Sequence, residues 1–290
     1  MDNDHFEKAK KLVIIGLASD DVLLEQLVLK GGNAIAIGHD LNDRGSKDID
    51  YSIEGEFGQE LEEMKIRMET VLKATFEEEG YYLFDFNLEE KPTNLRENLK
   101  KWWGGYKIYF KIIQKDGYDR YKDSIEDLRR FAIQLQENNS PRFEVEISKY
   151  EFVKRKEVEL DGFIIYVYPL ELIVAEKLRA ICQQFPKYQL EIIKNKTVTT
   201  SPRPRDFYDV YSIMEFNGEE VNVQSEEFKN LVAEVFKTKH VPFSWLAEIK
   251  EYREFHKTEY ASLKSTVTVK IEEFDFYFDY VLDQVVRELL

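Results

Sequence analysis

The stretch LKGGNAIAIGHDLNDRGSKDIDYSI, residues 29–53, decides how the chain is read. A strongly apolar segment beginning at Asp21 stops abruptly at Gly31-Gly32, and a short apolar run over 34–37 leads into a polar loop of about ten residues. The segment DIDYSI, residues 48–53, alternates acid or polar with apolar, the period of two expected of a half-buried strand. Asp48 and Asp50 therefore project from one face, about 6–7 Å apart along the chain. Two carboxylates so placed repel each other unless water screens them or a cation sits between them. Oxygen-ligated divalent ions such as Mg²⁺ suit the pair, and two-metal phosphoryl-transfer sites use it. A glycine pair between a strand and a helix leaves the backbone bare, so that N–H groups can approach a phosphate. The plain structural reading is a solvent-facing strand with two ordinary acids and a tight turn.

Outward from this stretch the pattern alternates between strand and helix. Leu61, Met64, Met68, Val71, Leu72 and Phe76 recur at helical spacing between Gly58 and Gly80. Residues 81–88 and 106–113 are rich in aromatic and β-branched side chains and predict two strands. Ser124 is placed to cap a helix running to about Gln136, with Ile125, Leu128 and Leu135 inward. RFEVEIS, residues 142–148, alternates again, and Asp161-Gly162 marks a hairpin turn into 163–168. From Pro169, which suits a first helical position, the periodicity is mostly helical. A polar, proline-containing loop interrupts it over 194–205, and residues 271–290 form an acidic, aromatic-rich amphipathic helix. The expectation is an α/β (α+β) unit over 1–169, a mixed β-sheet flanked by helices, followed by a helical domain over 170–290.

Composition narrows the class. Forty-one Lys and Arg stand against 56 Asp and Glu, a formal net charge of −15. Hydrophobic residues make up 43% of the chain and aromatics 14%, which excludes an intrinsically disordered chain. No apolar run approaches the ~18–20 residues of a membrane-spanning helix. The polar start MDNDHFEKAKK lacks a secretory signal, so a cytoplasmic location is expected. A single cysteine, Cys182, excludes an intrachain disulfide framework and a multi-cysteine zinc site. The acidity argues against indiscriminate nucleic-acid binding.

Three further positions join the acid pair. Glu144 and Glu146 lie on the strand over 142–148, where a third carboxylate would complete a metal site or activate a hydroxyl; the alternative is an exposed strand face. Ile173, Lys177 and Ile181 are spaced by four, so the Lys177 ammonium lies along an apolar stripe. It needs an anion, either a nucleotide phosphate or a carboxylate of the chain, or a short route to water. In RDFYD, residues 205–209, a helix begins, and Asp206 reads as its N-cap with Asp209 in the first turn. The functional alternative sets either aspartate at the mouth of a site, against nucleotide, metal or Lys177.

Taken together, these places resemble the AbiEii/AbiGii-type nucleotidyltransferase toxins of the DNA polymerase β-like superfamily. LKGGNAIAIG followed by RGSKDIDYSI is similar to the family's first motif, a Gly-Gly or Gly-Ser turn joined to an Asp-x-Asp strand. EVEIS, residues 144–148, lies where the family has a basic residue, one spacer and a third acid; Glu144 stands in the basic position and Glu146 matches the acid. LELIVAEKLRAI resembles the helix with an essential lysine, and RPRDFYDVYSI the fourth motif, an Arg-Asp pair followed by a second Asp. The four run in order over residues 25–215.

The resemblance implies a nucleotidyltransferase core, Mg²⁺ or Mn²⁺ as cofactor, and transfer of a nucleoside monophosphate from an NTP to an acceptor such as a tRNA 3′ end. Such proteins act as toxins paired with an antitoxin in phage-defence (abortive infection) or stress modules. Asp48, Asp50 and Glu146 would then be metal ligands. Gly31, Gly32, Ser46, Lys47 and Lys177 would bind the nucleotide, and Asp206 would orient Lys177 or the nucleotide, with Lys177 and Asp206 supplied by the helical domain. Between Lys177 and Asp209 seven basic residues meet three acids, a local +4 suited to an RNA acceptor. Two rival readings are a catalytically inactive relative that binds a partner protein and, with less support, a metal-dependent nuclease.

Overall fold

Ala9, Leu12, Val13 and Leu17 are all buried along one side of α1 (Asn3–Ala18), which therefore serves as a cover for the sheet. The structure is a computed structural model that describes residues 3–41, 45–136, 139–264, 266–267 and 269–290. Arg44 of the first motif lies outside the described residues. The chain divides into two compact units, one built from the residues up to Leu29 with Asp48–Val167, the other from Lys30–Lys47 with Tyr168–Leu290.

In the first unit, α2 (Asp21–Gln26) is capped by Asp20, whose side chain accepts from the backbone N–H groups of Val22 and Leu23 at 3.0 Å. It leads into β1 (Val28–Lys30), after which α3 (Gly31–His39) enters the second unit. β2 (Ile49–Ser52), α4 (Leu61–Glu78), β3 (Tyr81–Lys91) and β4 (Gly105–Gln114) follow. Next come α5 (Lys115–Tyr121), α6 (Ile125–Arg130), β5 (Phe143–Ser148), β6 (Lys156–Leu160) and β7 (Phe163–Val167). The strands form one mixed sheet in the order β3-β4-β5-β2-β1-β7-β6, with β2–β5 and β1–β7 parallel and the β3–β4, β4–β5 and β6–β7 pairs antiparallel.

One face of this sheet is dry. Ile49, Tyr51, Val145, Ile147, Ile108 and Phe110 alternate inward and are buried. Phe76 of α4 meets Phe110 edge-on at 5.5 Å, and Phe6 of α1 meets Phe143 at 5.6 Å. Each such ring or aliphatic chain contributes roughly 1.5–3 kcal/mol on full burial. The alternate residues of β2 and β5, with Lys107 and Lys111 of β4, point the other way and are polar, which is the face that carries the candidate site.

The α6 helix is shorter than its periodicity suggests. Ser124 caps it as expected, accepting from Asp127 N–H at 3.2 Å, but it ends at Arg130 and leaves Ile125 47% exposed. The chain leaves the helix because Ile133 N–H donates to the Ile112 carbonyl of β4 at 2.9 Å, which a continued helix would forbid.

The second unit is helical. It contains α3, α7 (Leu170–Cys182), α8 (Pro204–Asn217), α9 (Glu226–Thr238), α10 (Arg253–Lys257), α11 (Tyr260–Lys264) and α12 (Phe274–Val281). Tyr168, Phe185, Phe207, Phe236, Phe274 and Phe278 are its largest fully buried rings among the described residues. The apolar run over 34–37, read from sequence as a prelude to a loop, lies inside α3, where Asn33, Ala34, Ile35 and His39 are buried. Pro169 stands just before α7 rather than at its first position. Among the described residues no helix is long and apolar enough to cross a membrane.

Candidate active site

In the first unit the site begins with strand register. Asp50 of β2 lies opposite Glu146 of β5 in a parallel pair, so both side chains leave the same face of the sheet. Asp48, two residues earlier on the same side, is exposed where the chain enters β2. The intervening Ile49 and the facing Val145 are fully buried, which locks the register: a one-residue slip would turn these apolar chains to water and the acids to the core.

A residue that sequence reading passed over completes this face. Lys107 of β4 lies opposite Glu146 in the antiparallel β4–β5 pair. Its ammonium donates to both Glu144 and Glu146 at 2.8 Å. Burial disfavours the charged ammonium, but the two carboxylates outweigh that and hold it well above the ordinary lysine range. The only signal in the sequence was a lysine at an outward position of an alternating strand. Next to it, the Tyr109 ring is approached by Arg142 at 4.8 Å, Lys107 at 5.7 Å and Lys91 at 6.0 Å.

In the second unit the lysine expected to need an anion finds two. Lys177 of α7 is 7% exposed and donates to Asp206 at 3.0 Å and to Asp209 at 2.6 Å, both on α8. Asp206 is not the helix N-cap expected from its position. Pro204, with its fixed φ and missing N–H, occupies the first turn and Arg203 precedes it, so Asp206 is already helical and is turned toward Lys177. The Arg203 N–H donates to His256 Nδ1 at 3.0 Å. His256 is fully buried, its Nε2 and the Asp206 Oδ2 have no hydrogen-bond partner among the described residues, and desolvation lowers its pKa to about 4.

The glycine pair opens α3. Gly31 adopts φ +68°, a conformation costly for other residues, and it turns the chain from β1 into the helix. Lys30, just before it, is buried and donates to Glu176 of α7 at 2.8 Å, and Glu176 also accepts from Arg179 at 3.1 Å. Ser46 is half-buried and Lys47 exposed in the segment leading to β2. Within the 177–209 segment, Lys177, Arg179 and Lys187 are all paired with carboxylates of the same unit, Lys187 with Glu248. Lys194, Lys196 and Arg203 remain exposed.

Thus Asp50 and Glu146 are brought together in one unit, and Lys177 and Asp206 in the other. The donor chemistry of Asp48 and Asp50 fits a hard divalent cation. Glu146 is engaged by Lys107, and among the described residues no group of three or more His, Cys, Asp or Glu side chains is arranged to hold a metal ion.

None of the curated proteins matches the chain. Among solved structures, an H. pylori protein assigned as a nucleotidyltransferase is similar over 98% of this chain and 95% of its own, at 15% identity and a TM-score of 0.50. That similarity concerns the fold. MenT4, a nucleotidyltransferase toxin of Mycobacterium tuberculosis, matches over 89% of this chain and 92% of its own, at 13% identity and a TM-score of 0.32. The family model for the nucleotidyl transferase AbiEii toxin of type IV toxin–antitoxin systems matches residues 15–280, and the chain belongs to this family of nucleotidyltransferase toxins.

Proposed function

We propose that the protein transfers a nucleoside monophosphate from an NTP to an acceptor hydroxyl, with a tRNA 3′ end as the acceptor and Mg²⁺ or Mn²⁺ as the cofactor. The observation that carries this reading is the in-register placement of Asp50 and Glu146 on one polar sheet face, with Asp48 two residues before Asp50. In the transfer, the acceptor oxygen forms a bond to the α-phosphorus and the bond to the bridging oxygen breaks. The released electron pair leaves on pyrophosphate and the hydroxyl proton passes to solvent.

Asp48 and Asp50 would hold the divalent cation, which when bound would neutralise triphosphate charge. The backbone at Gly31 and Gly32, with Ser46 and Lys47, faces the phosphates. Lys177, oriented by Asp206 and Asp209, supplies a fixed positive charge for the triphosphate. The exposed cations Lys194, Lys196 and Arg203 contact the acceptor backbone, a narrower patch than the charge count over 177–209 suggests. A cognate antitoxin is the protein partner, and the cytoplasm the place of action.

The test is incubation of the purified protein with Mg²⁺, each labelled NTP in turn and total tRNA. Wild type labels the RNA with at least one NTP and Asp48→Ala does not, while both melt at the same temperature. Equal labelling by the two proteins overturns the assignment of Asp48.

A further inference from the structure

We propose that Lys107 is the resident cation of the carboxylate face, holding Glu146 until a divalent cation displaces it onto Glu144. The inference rests on the metal reading of Asp48 and Asp50 given above. Glu146 has two neighbours on its own face. On one side is Asp50 of β2, in parallel register, and on the other Lys107 of β4, in antiparallel register. Adjacent strands lie about 4.8 Å apart, so a cation held by Asp50 and a carboxylate of Glu146 stands close to the lysine ammonium. A divalent ion and an ammonium that share one carboxylate repel each other, strongly so on a partly desolvated surface.

The ammonium therefore competes with the metal for Glu146, and the structure provides it with another place to go. Lys107 already donates to Glu144 at the same 2.8 Å, and withdrawal to Glu144 alone frees Glu146 without leaving a half-buried ammonium unpaired. This gives Glu144 a purpose. It is the holding point of the Lys107 ammonium when that ammonium leaves Glu146. Lys107 is on this account a positioning residue that sets how tightly the face binds metal before nucleotide arrives. Glu146 is 57% exposed and free to rotate, whereas Lys107 is 21% exposed and confined between strands. The exchange thus consists of a small shift of the ammonium and a rotamer change of the glutamate.

The experiment is titration of the full-length protein with Mn²⁺ alone, free Mn²⁺ being read by electron paramagnetic resonance, with circular dichroism melts to verify folding. Lys107→Met should bind Mn²⁺ at least about fivefold tighter than wild type, about 1 kcal/mol. Lys107→Arg, which keeps the charge, should stay near wild type, and Glu144→Gln should weaken binding because the ammonium is left with Glu146 alone. Lys91→Met removes a cation from the same face that is paired with Glu89 rather than with Glu146, and it should change little. Lys107→Gln replaces Lys107→Met if the latter melts early.

Unchanged affinity in Lys107→Met, or equal tightening in Lys91→Met, overturns the proposal. Asp50→Asn separates the two levels. If it abolishes Mn²⁺ binding while Lys107→Met leaves affinity unchanged, the metal reading stands and the Lys107 proposal falls. If wild type and Lys107→Met bind no Mn²⁺ that Asp50→Asn removes, both fall together.

Discussion

Lys177 on α7 and Asp209 on α8 form a buried ion pair 2.6 Å long, with side-chain exposures of 9% and 5%. An ammonium so enclosed is tolerated because Asp206 supplies a second acceptor at 3.0 Å. Removing one partner of a buried pair leaves an uncompensated charge and costs roughly 3–5 kcal/mol. Asp209→Ala should therefore lower the urea midpoint more than Asp206→Ala, because Asp206 is the more exposed and its second oxygen meets only the Arg203 guanidinium, at a distant 3.9 Å, among the described residues. Equal losses in urea melts would show that the two aspartates share the lysine evenly. Both variants should lose RNA labelling.

His256 predicts how the second unit responds to acid. Its Nδ1 accepts the Arg203 N–H, a bond available only to the neutral ring, and burial holds its pKa at about 4 against an ordinary 6.5. Because the folded value is depressed, the stabilisation is complete above about pH 6.5 and is lost as pH falls toward 4, where the unfolded chain binds the proton first. The loss should reach about 2 kcal/mol by pH 5. Thermal melts from pH 7.5 to 4.5 should show this slope in wild type and not in His256→Gln. Parallel slopes in the two proteins would exclude the histidine as its source.

What the sequence disclosed follows from the range of the interactions involved. The strand holding Asp50, with Asp48 just before it, was legible because period-two alternation is local, and α4 because its apolar residues repeat every three or four positions. The pairing of Lys107 with Glu144 and Glu146 was not, since it arises only when β4 and β5, far apart along the chain, become neighbours. The helical rather than capping position of Asp206 turned on Pro204, whose preference for a first turn outweighed the capping preference of aspartate. The premature end of α6 was decided by a backbone hydrogen bond to β4, which no local pattern encodes.

Asp85 offers a test of local strain in the first unit. It sits at a register shift between Phe84 and Asn87 of β3, with φ +52°. Its carboxylate accepts from Arg129 through two bonds, at 2.7 and 2.9 Å, and from Lys111 at 2.9 Å. Hydrogen bonding from Arg129 leads the causes that lower its pKa to about 2, so this stabilisation is present above an ordinary aspartate pKa and fades as pH falls toward 2. Asp85→Ala and Asp85→Gly both lose the ion pairs, but only glycine adopts the positive φ without penalty. Asp85→Gly should therefore retain about 1 kcal/mol more stability in denaturant melts. The reverse order would mean that the bulge relaxes to a backbone conformation that alanine accepts once the carboxylate is gone, so that the positive φ carries no penalty of its own.

Gly105 links packing to the candidate site. A Cβ at this position would lie 2.4 Å from the Ile147 carbonyl oxygen, a backbone atom of β5 that cannot rotate away. Gly105→Ala must push β4 from β5 at the end of the ladder where Gly105 opposes Ser148 and Lys107 opposes Glu146. Overpacking of this kind costs typically 1–3 kcal/mol. Separation of the strands also lengthens the Lys107 contacts to Glu144 and Glu146, which depend on strand spacing. Gly105→Ala should accordingly melt earlier and bind Mn²⁺ more tightly than wild type, in the same direction as Lys107→Met. A variant that melts early with wild-type Mn²⁺ affinity would show that β5 yields at its own end and leaves the lysine where it is.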